Sequence, residues 1–145
     1  MDIFFKHIAL IIIATSLATP AHAEPTILTG TVTHVRDGDT IEVGKVPIRL
    51  NGVSAPELKE PLGPQSKQFM RNLVNGKHVR CELTGAKTYD RFVGTCYLDG
   101  EDIGIAVIAA GRALDCPRYS GGRYAEFELA AVRELIKLPN YCRQS

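Results

Sequence analysis

The sequence predicts an α+β fold, a barrel of five short strands accompanied by three helices, and three observations predict it. Through the first half, β-branched and apolar residues alternate with polar ones in short runs separated by Gly-containing turns. A single run with helical spacing interrupts those strands after the third. Two more helical runs follow the fifth strand.

Residues 1–23 stand apart from this pattern. Lys6 and His7 precede the unbroken apolar run 8–14, which fades through Thr15 and Ser16 into Thr19-Pro20-Ala21-His22-Ala23. A weakly basic start, a short apolar stretch and a small-x-small ending describe a secretory signal peptide cut after Ala23. The apolar stretch is about 11 residues, short of the roughly 20 that cross a bilayer as a helix. No second run of that length follows, so the mature chain is expected to be soluble, secreted or periplasmic, with no membrane contact after cleavage. Residues 24–145, about 120 in number, suffice for one domain with one core and are too few for two.

The elements follow in order. Ile27, Val32 and Val35 among threonines predict a strand over 27–35. Asp37-Gly38 turns the chain, residues 40–43 resume alternation, and Gly44-Lys45 turns it again. The third strand is expected over 46–53, with Val46, Ile48 and Leu50 on one face and Arg49 and Asn51 on the other. Pro64 suits the first turn of a helix running to Val74, where Phe69/Leu73 and Met70/Val74 are apolar pairs at i, i+4. Asn75-Gly76 ends it. Strands over 78–83 and 92–98 flank an expected loop at 84–91. A short helix over 105–110 stops at Gly111, and an irregular stretch covers 116–122. The last helix is expected over 124–138, with the stripe Phe127, Ala131, Leu135, Leu138 and with Pro139 closing it. A five-strand meander with a helix after the third strand points to a barrel of the OB type.

Composition is neutral on partners. The formal net charge is +1, so the whole chain shows no basic excess of the kind that marks a nucleic-acid binder. Local cations at Arg80, Lys87, Arg118 and Arg123 are candidate phosphate contacts. Cys81, Cys96, Cys116 and Cys142 form an even set, and none of their spacings suits a zinc knuckle. Cys81 and Cys96 fall on strands expected to pair, whereas Cys116 and Cys142 flank the last helix. The expected bridges are therefore Cys81–Cys96 and Cys116–Cys142.

Beyond this, Asp37-Gly38-Asp39-Thr40, Ile48-Arg49-Leu50, Ala55-Pro56-Glu57, Tyr89-Asp90-Arg91, Asp99-Gly100 and Ala110-Gly111-Arg112-Ala113 occur in an order and spacing that resemble the staphylococcal nuclease (thermonuclease) family. A lone Asp-Gly-Asp-Thr is any hairpin turn. Followed nine residues on by a strand arginine, and eight after that by Glu57, it is far more specific. The resemblance implies a calcium-assisted phosphodiester hydrolase acting on single-stranded or denatured DNA, or on RNA, and leaving 3′-phosphate ends. It implies Glu57 as the base or water-orienting group, Arg49 and Arg91 as phosphate clamps, and Asp39 as a Ca2+ ligand, with the Ala55 carbonyl nearby. It also implies that Tyr89 and Tyr119 line the nucleotide pocket.

Chemistry agrees with these types. A guanidinium fork stays charged and can donate two bonds to a phosphate. A glutamate within reach of a water can take its proton. One position departs from the family pattern: a second carboxylate usually stands where this chain has Ser54. Calcium affinity depends on ligand charge, so weaker binding or an altered metal preference is expected. An alternative follows from Ser54, namely a non-catalytic OB-type binding module that has lost turnover. A monomer is expected.

Overall fold

The computed structural model describes residues 24–143, so the leader expected over 1–23 lies outside the described residues. In chain order the strands of the ring are β1 (Thr26–Val35), β2 (Thr40–Val43) and β3 (Val46–Leu50), followed by a two-residue strand, β4 (Val53–Ser54). Helix α1 (Gly63–Val74) leads to β5 (His78–Thr88), β6 (Arg91–Leu98) and the short β7 (Glu101–Asp102). Helix α2 (Ile103–Ala109), β8 (Leu114–Asp115) and helix α3 (Pro117–Ser120) complete the regular elements, and the remainder is 3-10 turns.

Strand β1 serves two neighbours. Its first half pairs antiparallel with β5, from Thr26↔Leu83 to Thr31↔His78, and its second half pairs with β2. A register shift between Val32 and His34 lies at the start of the half that pairs with β2. An extra residue at such a point bends a strand and sharpens its twist, which lets the sheet curl. Strand β2 pairs with β3, β5 with β6, and the ring closes where β3 meets β6 in parallel, Ile48↔Phe92 to Leu50↔Gly94. The result is the five-stranded closed barrel with three helices that the sequence predicts, an α+β fold of the OB type. Among the described residues, no helix is long and apolar enough to cross a membrane.

Alternation fills the interior. Val32, Val35, Ile41, Val43, Ile48, Leu50 and Val79 point inward from the strands, and Met70, Val74, Ile103, Val107 and Ile108 cover the barrel from α1 and α2. Tyr124 is also fully enclosed, and its hydroxyl donates to Asp102 Oδ2 at 3.1 Å. Asp102 is in turn held by Arg123, so this arginine is committed to the fold rather than to a ligand. Arg80 likewise pairs with Glu82 at 2.6 Å.

Three element boundaries differ from expectation. Residues 84–88 are strand rather than loop. Pairing lapses after Leu83 and resumes at Lys87↔Phe92 and Thr88↔Arg91, leaving only Tyr89 and Asp90 as the turn. The third strand stops at Leu50 because Gly52 takes φ 71°, and a Cβ there would lie 2.5 Å from Ser120. Helix α2 begins two residues early because Asp102 caps it, accepting from Gly104 N at 2.7 Å.

The long last helix does not form. Residues 124–138 hold two 3-10 turns, Ala125–Phe127 and Ala130–Glu134, separated by extended backbone at Glu128 and Leu129. The third helix is instead the four-residue α3, within the stretch expected to be irregular. Two constraints explain this. A straight helix over those residues would run about 22 Å, whereas the Cys116–Cys142 bridge holds its two flanks 4.6 Å apart at Cα. Glu128 is also pulled inward, accepting from Asp115 N at 2.6 Å and pairing with Arg133. Of the expected stripe, Leu135 is 67% exposed, and Val132 and Ile136 are buried with Leu114 in its place.

Both expected disulfides are present. Cys81 and Cys96 are direct partners across β5 and β6. Closing a loop of this length restricts the unfolded chain by about 3 kcal/mol. Urea titration of Cys81→Ser/Cys96→Ser is expected to show a loss of that size with the barrel signature in circular dichroism retained.

Candidate active site

The parallel closure of the barrel brings two arginines together. Arg49 on β3 stands opposite Val93 on β6, and Arg91 lies two residues before Val93, hence on the same face. Arg49 is also the cross-strand partner of Thr40 on β2. Arg91 Nη1 donates to the Thr40 hydroxyl at 3.1 Å. The two guanidiniums, separated by most of the barrel's sequence, thus share one neighbour.

Asp39 organises the rest. Its Oδ2 accepts from Ala55 N at 2.9 Å, its Oδ1 accepts from the Thr40 hydroxyl at 3.2 Å, and Arg49 forms an ion pair with the same Oδ1. Burial pushes the Asp39 carboxyl up, to about 7, with Arg49 and the Ala55 N–H pulling the other way. Burial also works against the Arg49 charge, but Asp39, Tyr141 and Asp37 outweigh it and raise its pKa. Arg49 Nη1 is buried and is spent on the ion pair with Asp39.

Arg91 does not pair with its neighbour Asp90. Asp90 instead accepts from Arg36 Nη1 at 2.8 Å, and Arg36 Nε donates to Glu42 at 2.7 Å. The Arg36 hydrogen bond holds the Asp90 carboxyl below its ordinary range. By occupying Asp90, Arg36 leaves the Arg91 guanidinium turned toward the site.

Glu57 sits on the exposed loop after β4. That loop is folded tightly on itself: Glu57 N donates to Glu60 Oε2 at 2.5 Å and Glu57 O accepts from Glu60 N at 2.8 Å. Gly63, the first residue of α1, presses against it, so that a Cβ there would lie 2.0 Å from Glu57 O. Absence of a side chain at residue 63 therefore sets where Glu57 stands.

Asp37, Asp39, Arg49, Ala55, Pro56, Glu57, Arg91 and Tyr141 line one small cleft of about 60 Å³. The structure thus gathers Arg49, Glu57, Arg91, Asp39 and Ala55, and leaves Ser54, Tyr89 and Tyr119 outside that lining. Ser54 is buried in β4, paired with Leu114. Tyr89 is 94% exposed at the hairpin tip and Tyr119 is half exposed on α3. Sequence reasoning missed two members. Asp37 was legible only as a turn residue, and its Oδ1 does accept from Asp39 N at 3.0 Å. Tyr141 carried one signal, its place beside Cys142.

The donors suit a hard cation in kind. Asp37, Asp39 and Glu57 supply carboxylate oxygens on one cleft, and the Ala55 carbonyl is a further candidate. Among the described residues no three acidic, histidine or cysteine side chains close on one point. These residues would offer a cation carboxylate oxygens spread along the cleft rather than gathered at one point.

A small OB-type barrel thus carries two arginines, acidic oxygen donors and a glutamate around one polar cleft. Residues 47–134, more than half of the chain, match the family described as "Staphylococcal nuclease homologue". The chain belongs to the staphylococcal nuclease family. It is 36% identical over 109 residues to the succinoglycan biosynthesis protein ExoI of Rhizobium meliloti, covering 67% of this chain and 57% of that one. It is 38% identical over 96 residues to an uncharacterized endonuclease of Escherichia coli, covering 63% of each. A probable staphylococcal-like nuclease, CAN1, of Oryza sativa is 35% identical over 63 residues, 43% of this chain and 19% of that protein. The chain thus spans between 57% and 63% of the length of the first two relatives.

The contact between Gly63 and Glu57 gives an expectation that depends on position alone. Gly63→Ala should shift the Glu57 loop and lower any turnover that uses Glu57 by about 10²-fold, the effect of misplacing a reacting group by about 1 Å. Initial rates on denatured DNA, with melting curves showing a folded barrel, are the measurement.

Proposed function

We propose that this chain is a metal-dependent phosphodiesterase that cuts DNA or RNA with little sequence preference and leaves 3′-phosphate ends. The observation that carries the reading is the convergence on one cleft of Arg91 with Glu57 and Arg49, which lie 34 and 42 residues before it in the sequence. Relatives named as endonucleases support it.

The steps follow from the side chains. Arg49 and Arg91 hold the non-bridging oxygens of the scissile phosphate, with donors aimed where negative charge grows. Glu57, exposed and not drawn into either guanidinium, takes a proton from the attacking water. The new bond joins water oxygen to phosphorus, the bond to the 5′ oxygen breaks with its electron pair, that oxygen takes a proton from solvent water and leaves as the 5′ hydroxyl, and the phosphate stays on the 3′ side. Asp39 fixes Arg49 by ion pairing and Arg91 through Thr40. A divalent cation of the calcium class, held by Asp39 with the Ala55 carbonyl and Asp37 nearby, would supply Lewis acidity and help orient the phosphate. Exposed Tyr89 and Tyr119 offer ring faces to bases without reading sequence. Two disulfides suit an oxidising compartment, in keeping with a secreted or periplasmic protein.

A second reading is a binding module without turnover. The observation favouring it is Ser54, neutral and buried, which leaves the cation site one carboxylate poorer than the family pattern. One experiment separates the two. Mature oxidised protein is incubated with denatured DNA across calcium, manganese and chelator, beside Glu57→Gln. The enzyme reading expects cutting that chelator stops and that Glu57→Gln lowers by about 10²–10⁴-fold. Binding without cutting under every metal would establish the module instead.

Removal of either clamp tests the phosphate contacts separately. Arg49→Ala and Arg91→Ala are each expected to reduce kcat by about 10²–10³-fold. Arg49→Ala should also lower stability by roughly 3–5 kcal/mol, because it strands the buried Asp39 carboxylate. Arg91→Ala leaves no such charge behind, so its melting temperature should stay near that of the parent.

A further inference from the structure

Tyr141 lines the cleft, and none of the steps above uses it. It belongs to the 3-10 turn Asn140–Cys142, at the far end of the chain from β3. Its neighbour Cys142 is fully buried and bridged to Cys116, which stands immediately before α3. The turn packs against α3. A single 3-10 turn has too few hydrogen bonds to hold a position by itself. The bridge supplies that position, fixing Tyr141 at the wall where Arg49 and Arg91 lie.

Two properties of the side chain suit it to a ligand. The ring is half exposed, and the hydroxyl has no hydrogen-bond partner among the described residues. It also shares the wall of the cleft with Arg49 and is close enough to enter that guanidinium's electrostatics. A neutral phenol adds a donor to an anion site without adding to the repulsion between the two arginines.

We propose that the Tyr141 hydroxyl donates a third hydrogen bond to the phosphate held by Arg49 and Arg91, and that the Cys116–Cys142 bridge delivers it there. This rests on the phosphodiesterase reading for its substrate. A contact made alike to the resting phosphate and to the transition state changes KM and leaves kcat in place.

The test compares Tyr141→Phe, Tyr141→Ala, Cys116→Ser/Cys142→Ser and the triple variant, all with Cys81–Cys96 intact. Steady-state kinetics on denatured DNA are read beside binding of a fluorescein-labelled single-stranded oligonucleotide. Tyr141→Phe, which keeps the ring and the fold, is expected to raise KM and Kd by about tenfold, the range of one hydrogen bond to a charged group. Its kcat should stay within about twofold. The disulfide-free chain should show the same rise, and Tyr141→Ala should add nothing further to it, since the tyrosine is then already lost from the cleft.

An unchanged KM and Kd in Tyr141→Phe would overturn the proposal, as would a faster Tyr141→Ala, which would make the ring an obstruction. A disulfide-free chain that binds like the parent would overturn the role of the bridge. If the parent does not cut at all, the enzyme reading fails. The oligonucleotide Kd then still decides whether the hydroxyl contacts phosphate.

Discussion

The site depends on one buried carboxylate. Asp39 faces Arg49 as an ion pair, takes the Ala55 N–H, and through Thr40 reaches Arg91. Desolvating a charge of either sign is expensive, and burial indeed pushes the Asp39 carboxyl up. What holds the pair is mutual: each charge offsets the other, and a backbone N–H and a hydroxyl take two further lone pairs of the carboxylate, leaving one on Oδ2. The same contacts fix the strand β3, the loop after β4 and the start of β6 relative to one another. Structural and chemical roles coincide in this residue, so its energetic cost is tied to the geometry of the cleft.

Much of the fold was legible because it rests on local alternation. Strands β1 to β3 and α1 obey periods of two and of about 3.6 that the sequence displays openly, and the Gly turns between them allow few other paths. The last third was not legible in this way. Residues 124–138 have an acceptable helical spacing, but Glu128 is drawn to Asp115 N and the chain is tied back to Cys116. Both are long-range constraints that override local propensity. The irregular stretch around α3 was misjudged for the same reason, since its turn is set by Cys116 and by contact with the chain end.

The site was legible in part. The residue types and spacings around Asp39, Arg49, Glu57 and Arg91 carried the resemblance, and the structure gathers those residues. Their supports were invisible. Nothing in the sequence indicates that Arg36 would occupy Asp90 and so free Arg91, or that Gly63 would press against the Glu57 carbonyl. Tyr141 is the extreme case, because its position follows only once the second bridge is known. Ser54 shows the converse: its departure from the family pattern was plain in the sequence, and its burial beside Leu114 was not.

The parallel meeting of β3 and β6 has a consequence for how such a protein is made. These strands lie on either side of α1 and β5, and unlike the other pairings of the ring theirs is parallel. Remote parallel contacts form late, after nearer segments have shortened the loop between them. Arg49 and Arg91 become neighbours only when that parallel pairing forms. A nascent or unfolded chain cannot present the paired cations, so the two-arginine cleft exists only once the ring has shut.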